Sequence, residues 1–305
     1  MKKKCLVLFS GGLDSRLAVK IMQEQGFDVA CIYFKLPFGC SAYYDVEEFS
    51  KSENFKLDIF DCTKDELLQE YLDYLKSPKY GRGAGANPCK DCKIFMFRKA
   101  KEFADEKKID LIVSGEVLGE RPMSQMKSSL ELIEKDSGLN GRILRPLSAK
   151  LFEETEFEKS GFVNRDNLYN IRGRKRDKQI ELAQKFGISF PHPAGGCLLC
   201  EKFLQRRFEY LLKRGLSENE IELVKGGRHF VINDCWVILG RDKEENEKLE
   251  RFGKNVGRLI VPDVSGPSAL IIGKENVDDK VRELIEVYSK KGNIEERAGF
   301  DKYRL

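Results

Sequence analysis

No run of eighteen or so apolar residues occurs in the sequence, which excludes a helix that spans a membrane. The N-terminal "MKKKCLVLFSGG" imitates a secretion signal, but its apolar part ends after about five residues, too few for the hydrophobic region of such a signal. A cytoplasmic protein is the expectation. Charge of one sign is also scarce: 54 Lys and Arg face 50 Asp and Glu, a net +4, so composition alone does not single out nucleic acid. Histidine is scarcer still, with two residues, and neither sits in a catalytic pattern. His192 lies between two prolines in "FPHPAGG" and is read as shaping the loop before Cys197. Internal repeats and low-complexity segments are missing, which excludes solenoids and linker-like chains.

What is present is a chain of 305 residues, 41% hydrophobic, long enough to bury a core and to form two domains. Its first half alternates. "KKCLVLFS", "FDVACIYF", "FKLDIFDC", "DLIVSGEV" and "RILRPLSA" read as strands, separated by helical patterns. Leu13, Leu17, Ile21 and Met22 share one helical face, and Gly26 is placed to end that helix. Thr63 is expected to cap "KDELLQEYLDYLKS", with Glu66 completing a capping box. Alternation of this kind predicts a doubly wound, mostly parallel α/β sheet with ligands beyond the carboxyl ends of its strands. From about residue 201 the pattern becomes that of a smaller α+β unit, so the expected division is 1–205 and 206–305.

Between the first strand and first helix stands "SGGLDS", residues 10–15. Gly11 and Gly12 let the backbone approach an anion closely, and the helix dipole lies behind the loop N–H groups. Ser10 and Ser15 add hydroxyl donors, and Asp14 can hold Mg²⁺. A Walker A loop is excluded because no Gly-Lys-Ser/Thr follows, and G-x-G-x-x-G is absent. The stretch resembles the pyrophosphatase loop of the PP-loop ATPases, S-G-G-x-D-S. The resemblance implies cleavage of ATP between its α- and β-phosphates and adenylation of a substrate.

Nine cysteines without a secretion signal argue against a disulfide framework. Cys89 and Cys92 in "NPCKDC", and Cys197 and Cys200 in "PAGGCLLC", each read as opening a helix, where thiols are acidified. The others (5, 31, 40, 62 and 235) read mostly as small core residues, with Cys40 left open. Three uses of the pairs stand side by side. One is a four-cysteine zinc site, although about a hundred residues separate the pairs. The others are a thiol–disulfide couple and an iron–sulfur cluster.

Taken together, "SGGLDS", "NPCKDC", "SGE" at 114–116 and "RGRKRDKQIELAQKFGISFPHPAGGCLLC" resemble the tRNA-thiolating branch of the PP-loop enzymes, over about residues 4–210. They are similar to both 4-thiouridine synthetases and 2-thiouridylases. By that resemblance Cys89, Cys92 and Cys197 are the ligands of a 4Fe–4S cluster. Cys200 departs from the family pattern, either as a fourth ligand or as a persulfide carrier. Cluster-free relatives instead use one thiol as a persulfide and another to resolve it. The sulfur donor is a cysteine desulfurase or inorganic sulfide. Ser114, Gly115 and Glu116 are expected at the nucleotide edge, with Gln125 and Arg145 reaching substrate.

Two features point to RNA. Arg172, Arg174, Lys175, Arg176 and Lys178 form a basic run read either as a solvated helix start or as a phosphate contact for tRNA. Residues 226–290 resemble the NFACT-R RNA-binding module, and Arg228, His229, Arg241 and Asn246 are its expected contacts. The expectation is ATP-dependent thiolation of a tRNA uridine through an adenylated intermediate, with the C-terminal module capturing substrate. The rival readings are a PP-loop synthetase or amidotransferase acting on a small molecule, and an RNA-binding protein whose loop only holds nucleotide.

Overall fold

The computed structural model describes residues 3–39, 45–190, 196–253, 255–289 and 294–305. Two compact units divide the chain, Met1–Lys202 and Phe203–Leu305. In the first, β1 (Lys4–Leu8), β2 (Asp28–Lys35), β3 (Lys56–Asp61), β4 (Ile112–Ser114) and β5 (Ile143–Leu144) form one sheet in the order β3-β2-β1-β4-β5. Every pairing is parallel. Cys5, Val7 and Phe9 face one apolar core, shared with Leu17 and Ile21 of α1 (Leu13–Glu24). Leu6 faces the opposite core. Burial on both faces explains why β1 reads as a continuous apolar run.

The remaining helices of this unit are α2 (Val46–Ser52), α3 (Asp65–Lys76), α4 (Cys89–Glu106), α5 (Lys127–Asp136), α6 (Glu156–Lys159) and α7 (Asp177–Phe186). Ile94, Phe97, Ala100 and Ala104 of α4 pack with Ile133 of α5 under the second face, while Leu182 and Ala183 of α7 join the first. The expected capping box at Thr63 does not form. Thr63 Oγ1 donates instead to Asp61 Oδ1 at 2.5 Å, and α3 starts after Lys64 without a side-chain cap. The cap position falls one residue later, on Lys64, so Thr63 stands outside the helix start.

The second unit holds α8 (Gln205–Arg214), α9 (Glu218–Ile221), β6 (Arg228–Ile232), β7 (Cys235–Leu239), α10 (Lys243–Gly253), β8 (Arg258–Ile260), β9 (Ala269–Ile272), α11 (Asp278–Tyr288) and α12 (Ile294–Ala298). Its sheet runs β6-β7-β9-β8, antiparallel throughout. Asn233 and Asp234, with φ of 45° and 61°, make the two-residue turn that joins β6 to β7. Val281, Leu284 and Ile285 of α11 cover Phe230, Val237 and Ile271. Among the described residues no helix is long and apolar enough to cross a membrane.

Candidate active site

The strand order reverses direction between β1 and β4, and both strands end at one edge, where Leu8 pairs with Ser114. Such a switch point is where open α/β sheets receive ligands. Ser10–Ser15 emerges there from β1. Ser15 Oγ donates to the Gly12 carbonyl at 2.9 Å and lies 3.2 Å from Ser10 Oγ. Arg16 Nε donates to the Gly11 carbonyl at 2.7 Å, bracing the loop from behind. The first helical bond of α1 runs from Arg16 N to Gly12 O at 3.1 Å, so the N–H groups of Leu13, Asp14 and Ser15 precede it and remain available to an anion.

Asp14 sits in an unbalanced setting. Its Oδ1 is buried without a hydrogen-bond partner, while Oδ2 lies 4.0 Å from Arg176. Arg176 itself is paired at 3.0 Å with Glu120, a buried carboxylate beside Asp14. Burial first, and then the Glu120 charge, push the Asp14 carboxyl up to about 7, with Arg176 opposing. Gln179, fully buried on α7, adjoins Asp14, and neither of its amide atoms has a hydrogen-bond partner. Orphaned polar atoms around a carboxylate suit a hydrated divalent cation, which bonds oxygen and offsets the negative charge.

The β4 edge is tightly fitted. A Cβ on Gly115 would stand 2.6 Å from the Asp14 carbonyl oxygen, so only glycine allows this approach of the β4 end to the start of α1. Ser114 Oγ accepts from the Glu116 N–H at 3.2 Å. Glu116 is buried, bonded to Lys93 and, at 3.2 Å, to Arg145, which also reaches Glu134 at 3.1 Å. Burial alone raises a carboxyl, yet here the two cations outweigh it and hold Glu116 below the ordinary range. Arg145 is thereby engaged within the protein rather than turned outward, although its Nη2 is buried without a partner. Gln125 is buried too, with Oε1 unpartnered.

The two cysteine pairs occupy the same end of the sheet. Cys89 and Cys92 open α4, as expected, but Cys197–Cys200 forms a single 3₁₀ turn, not the start of a longer helix. Gly85–Asn87 docks against that turn. Ala86 N donates to Leu199 O at 2.8 Å, and Asn87 Nδ2 donates to Cys200 Sγ at 2.9 Å. Gly85 has φ of +62°, and a Cβ there would meet Leu199 O at 2.6 Å. Leu198 N and Cys197 Sγ both lie 3.1 Å from the carbonyl oxygen of Phe38, beyond β2.

Cys92 Sγ contacts the Tyr71 hydroxyl at 3.4 Å and interacts electrostatically with Cys197. Enclosure of the sulfur pushes the Cys92 thiol up to about 12. Interaction between the Cys197 and Cys200 thiols lowers Cys200 to about 6 and, with burial, raises Cys197. Asn87 assists at Cys200. The pair thus loses one proton readily and keeps the other. Three or more Cys, His, Asp or Glu side chains arranged to hold a metal ion do not occur among the described residues.

A connected path joins thiols to loop: Lys93, next to Cys92, bonds Glu116, and Gly115 touches the Asp14 backbone. Glu120, Gln179 and Asn87 were not foreseen from sequence. The "N" of "NPCKDC" was the available signal for Asn87, whereas nothing local marks the other two. Cys40 and His192 lie outside the described residues. Cys5, Cys31, Cys62 and Cys235 are buried, as expected of core residues.

Arg172, Arg174, Lys175 and Lys178 are exposed, whereas Arg176 turns inward to Glu120 and Asp14. In the second unit, His229 is buried, taking the Trp236 Nε1–H at 2.9 Å on Nδ1 and placing Nε2 2.6 Å from Gly226 O. It is a fixed core histidine, not an RNA contact. Asn246 is likewise engaged internally, accepting from Ser268 N at 3.0 Å. Arg241 pairs with Glu245, and Arg228 donates to Gly240 O at 3.2 Å.

Residues 1–151 match the family described as thiamine biosynthesis protein (ThiI), and residues 227–296 match the NFACT protein RNA-binding domain. The first unit carries a ThiI-family PP-loop domain. Among curated relatives, a tRNA-specific 2-thiouridylase from a Nitratiruptor species is 28% identical over 120 residues, 38% of this chain and 35% of the relative. A probable tRNA sulfurtransferase of Finegoldia magna is 30% identical over 152 residues, 47% of this chain and 35% of the relative. The alignments with these two thus span about a third of each relative's length. A solved 4-thiouridine synthetase–RNA complex with bound ATP overlaps 73% of this chain and 52% of its own at 21% identity and a TM-score of 0.40.

Proposed function

We propose that this protein is an ATP-dependent tRNA uridine sulfurtransferase of the 4-thiouridine synthetase type. The observation that carries the reading is the docking of the Cys89–Cys92 helix start and the Cys197–Cys200 turn at the sheet edge that also holds the ThiI-type loop. ATP phosphates lie on Ser10–Ser15, with the loop N–H groups stabilising charge on the departing pyrophosphate. Asp14, with its orphaned Oδ1, holds Mg²⁺, which supplies neutralisation of phosphate charge. The uracil oxygen attacks the α-phosphate, and pyrophosphate leaves.

Sulfur then arrives as a persulfide on Cys197, loaded from an external sulfane donor. Its terminal sulfur attacks the activated ring carbon, and AMP leaves. The Cys200 thiolate attacks the Cys197 sulfur, breaking the bond to the transferred atom. Thiouridine is released, a Cys197–Cys200 disulfide forms, and an external dithiol reduces it. Arg172, Arg174, Lys175 and Lys178 contact tRNA phosphates, and the second unit binds the same RNA.

A second reading, a 4Fe–4S cluster on Cys89, Cys92 and Cys197, is favoured by the electrostatic contact between Cys92 and Cys197. It requires Cys197 to leave the Phe38 carbonyl. Iron and acid-labile sulfide in anaerobically purified protein select it; colourless, iron-free, active protein excludes it. The test of the function itself is ATP-dependent conversion of uridine to thiouridine in tRNA. Activity is expected to vanish in Cys197→Ala, and Cys200→Ser without added reductant is expected to stall before its first product release, with the thiolated RNA held on Cys197 by a disulfide. Wild-type protein with no thiouridine and no tRNA-stimulated pyrophosphate release overturns the proposal.

A further inference from the structure

The second unit draws five arginines together around the start of β6. Arg207 of α8 donates to Val224 O at 3.0 Å and to Gly227 O at 3.2 Å, immediately before Arg228. Arg228 donates to Gly240 O, the residue before Arg241. Arg304 bridges to Phe230, and Leu305 N donates to His229 O at 2.9 Å, which lays the C-terminal segment along β6. Arg228 and Arg297 both stack on the Tyr288 ring, each 5.1 Å from its centroid.

Compensation of this gathering is thin: Glu245 alone acts on Arg207 against two arginines. Arg241 has Glu245, but among the described residues no carboxylate pairs with Arg207, Arg228, Arg297 or Arg304. Arg207 is buried, and its Nε has no partner. Burial, then Arg241 and Arg304, lower it to about 10, with Glu245 opposing. Arg228 is lowered by burial and by Arg297, Arg241 and Arg304. Like charges brought this close gain most from multivalent oxyanions, which accept from several guanidinium forks at once.

We propose that Arg228, Arg241, Arg297 and Arg304, backed by the buried charge of Arg207, form a seat for consecutive phosphates of an RNA backbone. The proposal rests on the reading that this unit binds RNA, and it moves the contact away from His229 and Asn246. Arg207, Arg297 and Arg304 lie outside the 227–296 match, so the seat is built by the flanking segments as well as by the matched domain.

Anisotropy of a labelled, unmodified tRNA transcript with the full chain, from about 50 to 300 mM KCl, tests the seat. Arg297→Glu/Arg304→Glu is expected to weaken binding by about tenfold or more and to lower the slope of log K against log salt by about one to two. Trp236 emission reports whether that variant folds. Arg304→Gln alone, at an exposed position, is expected to lower the slope by about one and keeps the test independent of folding. Wild-type binding that both variants reproduce at every salt overturns the seat and leaves the RNA reading standing. No tRNA binding by wild type overturns both. Polyglutamate displacing tRNA as well as polyuridylate of equal charge overturns the seat by assigning it to an acidic protein.

Discussion

Two C-x-x-C pairs of identical spacing come to opposite chemistry. Cys92 stands in the first turn of an eighteen-residue helix, where the dipole favours a thiolate, yet its thiol is pushed up to about 12. Cys200 ends a three-residue 3₁₀ turn with almost no dipole, yet its thiol is lowered to about 6. Enclosure of the sulfur dominates the first case. In the second, the Cys197 thiol and then the Asn87 amide stabilise the charge on a more open sulfur. Directed donors and solvent access decide thiol acidity here, and position on a helix does not.

The comparison is broken most directly by alkylation at pH 7. Cys200 is about nine-tenths thiolate there and Cys92 about one part in 10⁵, while the lower basicity of Cys200 returns between two and three decades. Iodoacetamide is therefore expected to label Cys200 about a hundredfold faster, read by peptide mass spectrometry; equal rates end the distinction. A sharper test is Asn87→Ala. Loss of a donor to a charged sulfur, about 1.5 kcal/mol, moves the midpoint of the Cys200 rate–pH profile up by about one unit. Labelling at pH 6 then falls about fivefold and at pH 8 hardly changes. The smallest effect belongs to Tyr71→Phe, which removes the hydroxyl at Cys92. Urea unfolding is expected to show about 1 kcal/mol of lost stability, with Cys200 labelling unaltered.

Local patterns in the sequence carried the fold of the first unit a long way. The 3.6 periodicity of Leu13, Leu17 and Ile21 and the apolar run at β1 report burial directly, and the parallel sheet follows from their alternation. "SGGLDS" was legible because its six residues are contiguous. What escaped was long-range: Asn87 meets Cys200 across 113 positions, and Glu120 meets Asp14 through Arg176. His229 misled because strand alternation turns it inward while Arg228 beside it remains half-buried. The Thr63 cap is absent because the helix starts after Lys64, which leaves Thr63 one position too early and bonded to Asp61.

The unpartnered oxygen of Asp14 is a burden on the fold. Its folded carboxyl titrates near 7 and its unfolded one near 3.8, so between those values the native state retains a proton that the unfolded chain has released. Stability therefore declines as pH rises from about 4 to 7, by at most about 4 kcal/mol, and Asp14→Asn is expected to melt higher than wild type at pH 8 but not at pH 4. A cation entering beside that oxygen must evict the same proton. If the proposed magnesium site is correct, uptake of the ion below neutrality would acidify an unbuffered solution, and its affinity would climb with pH until the carboxyl is bare.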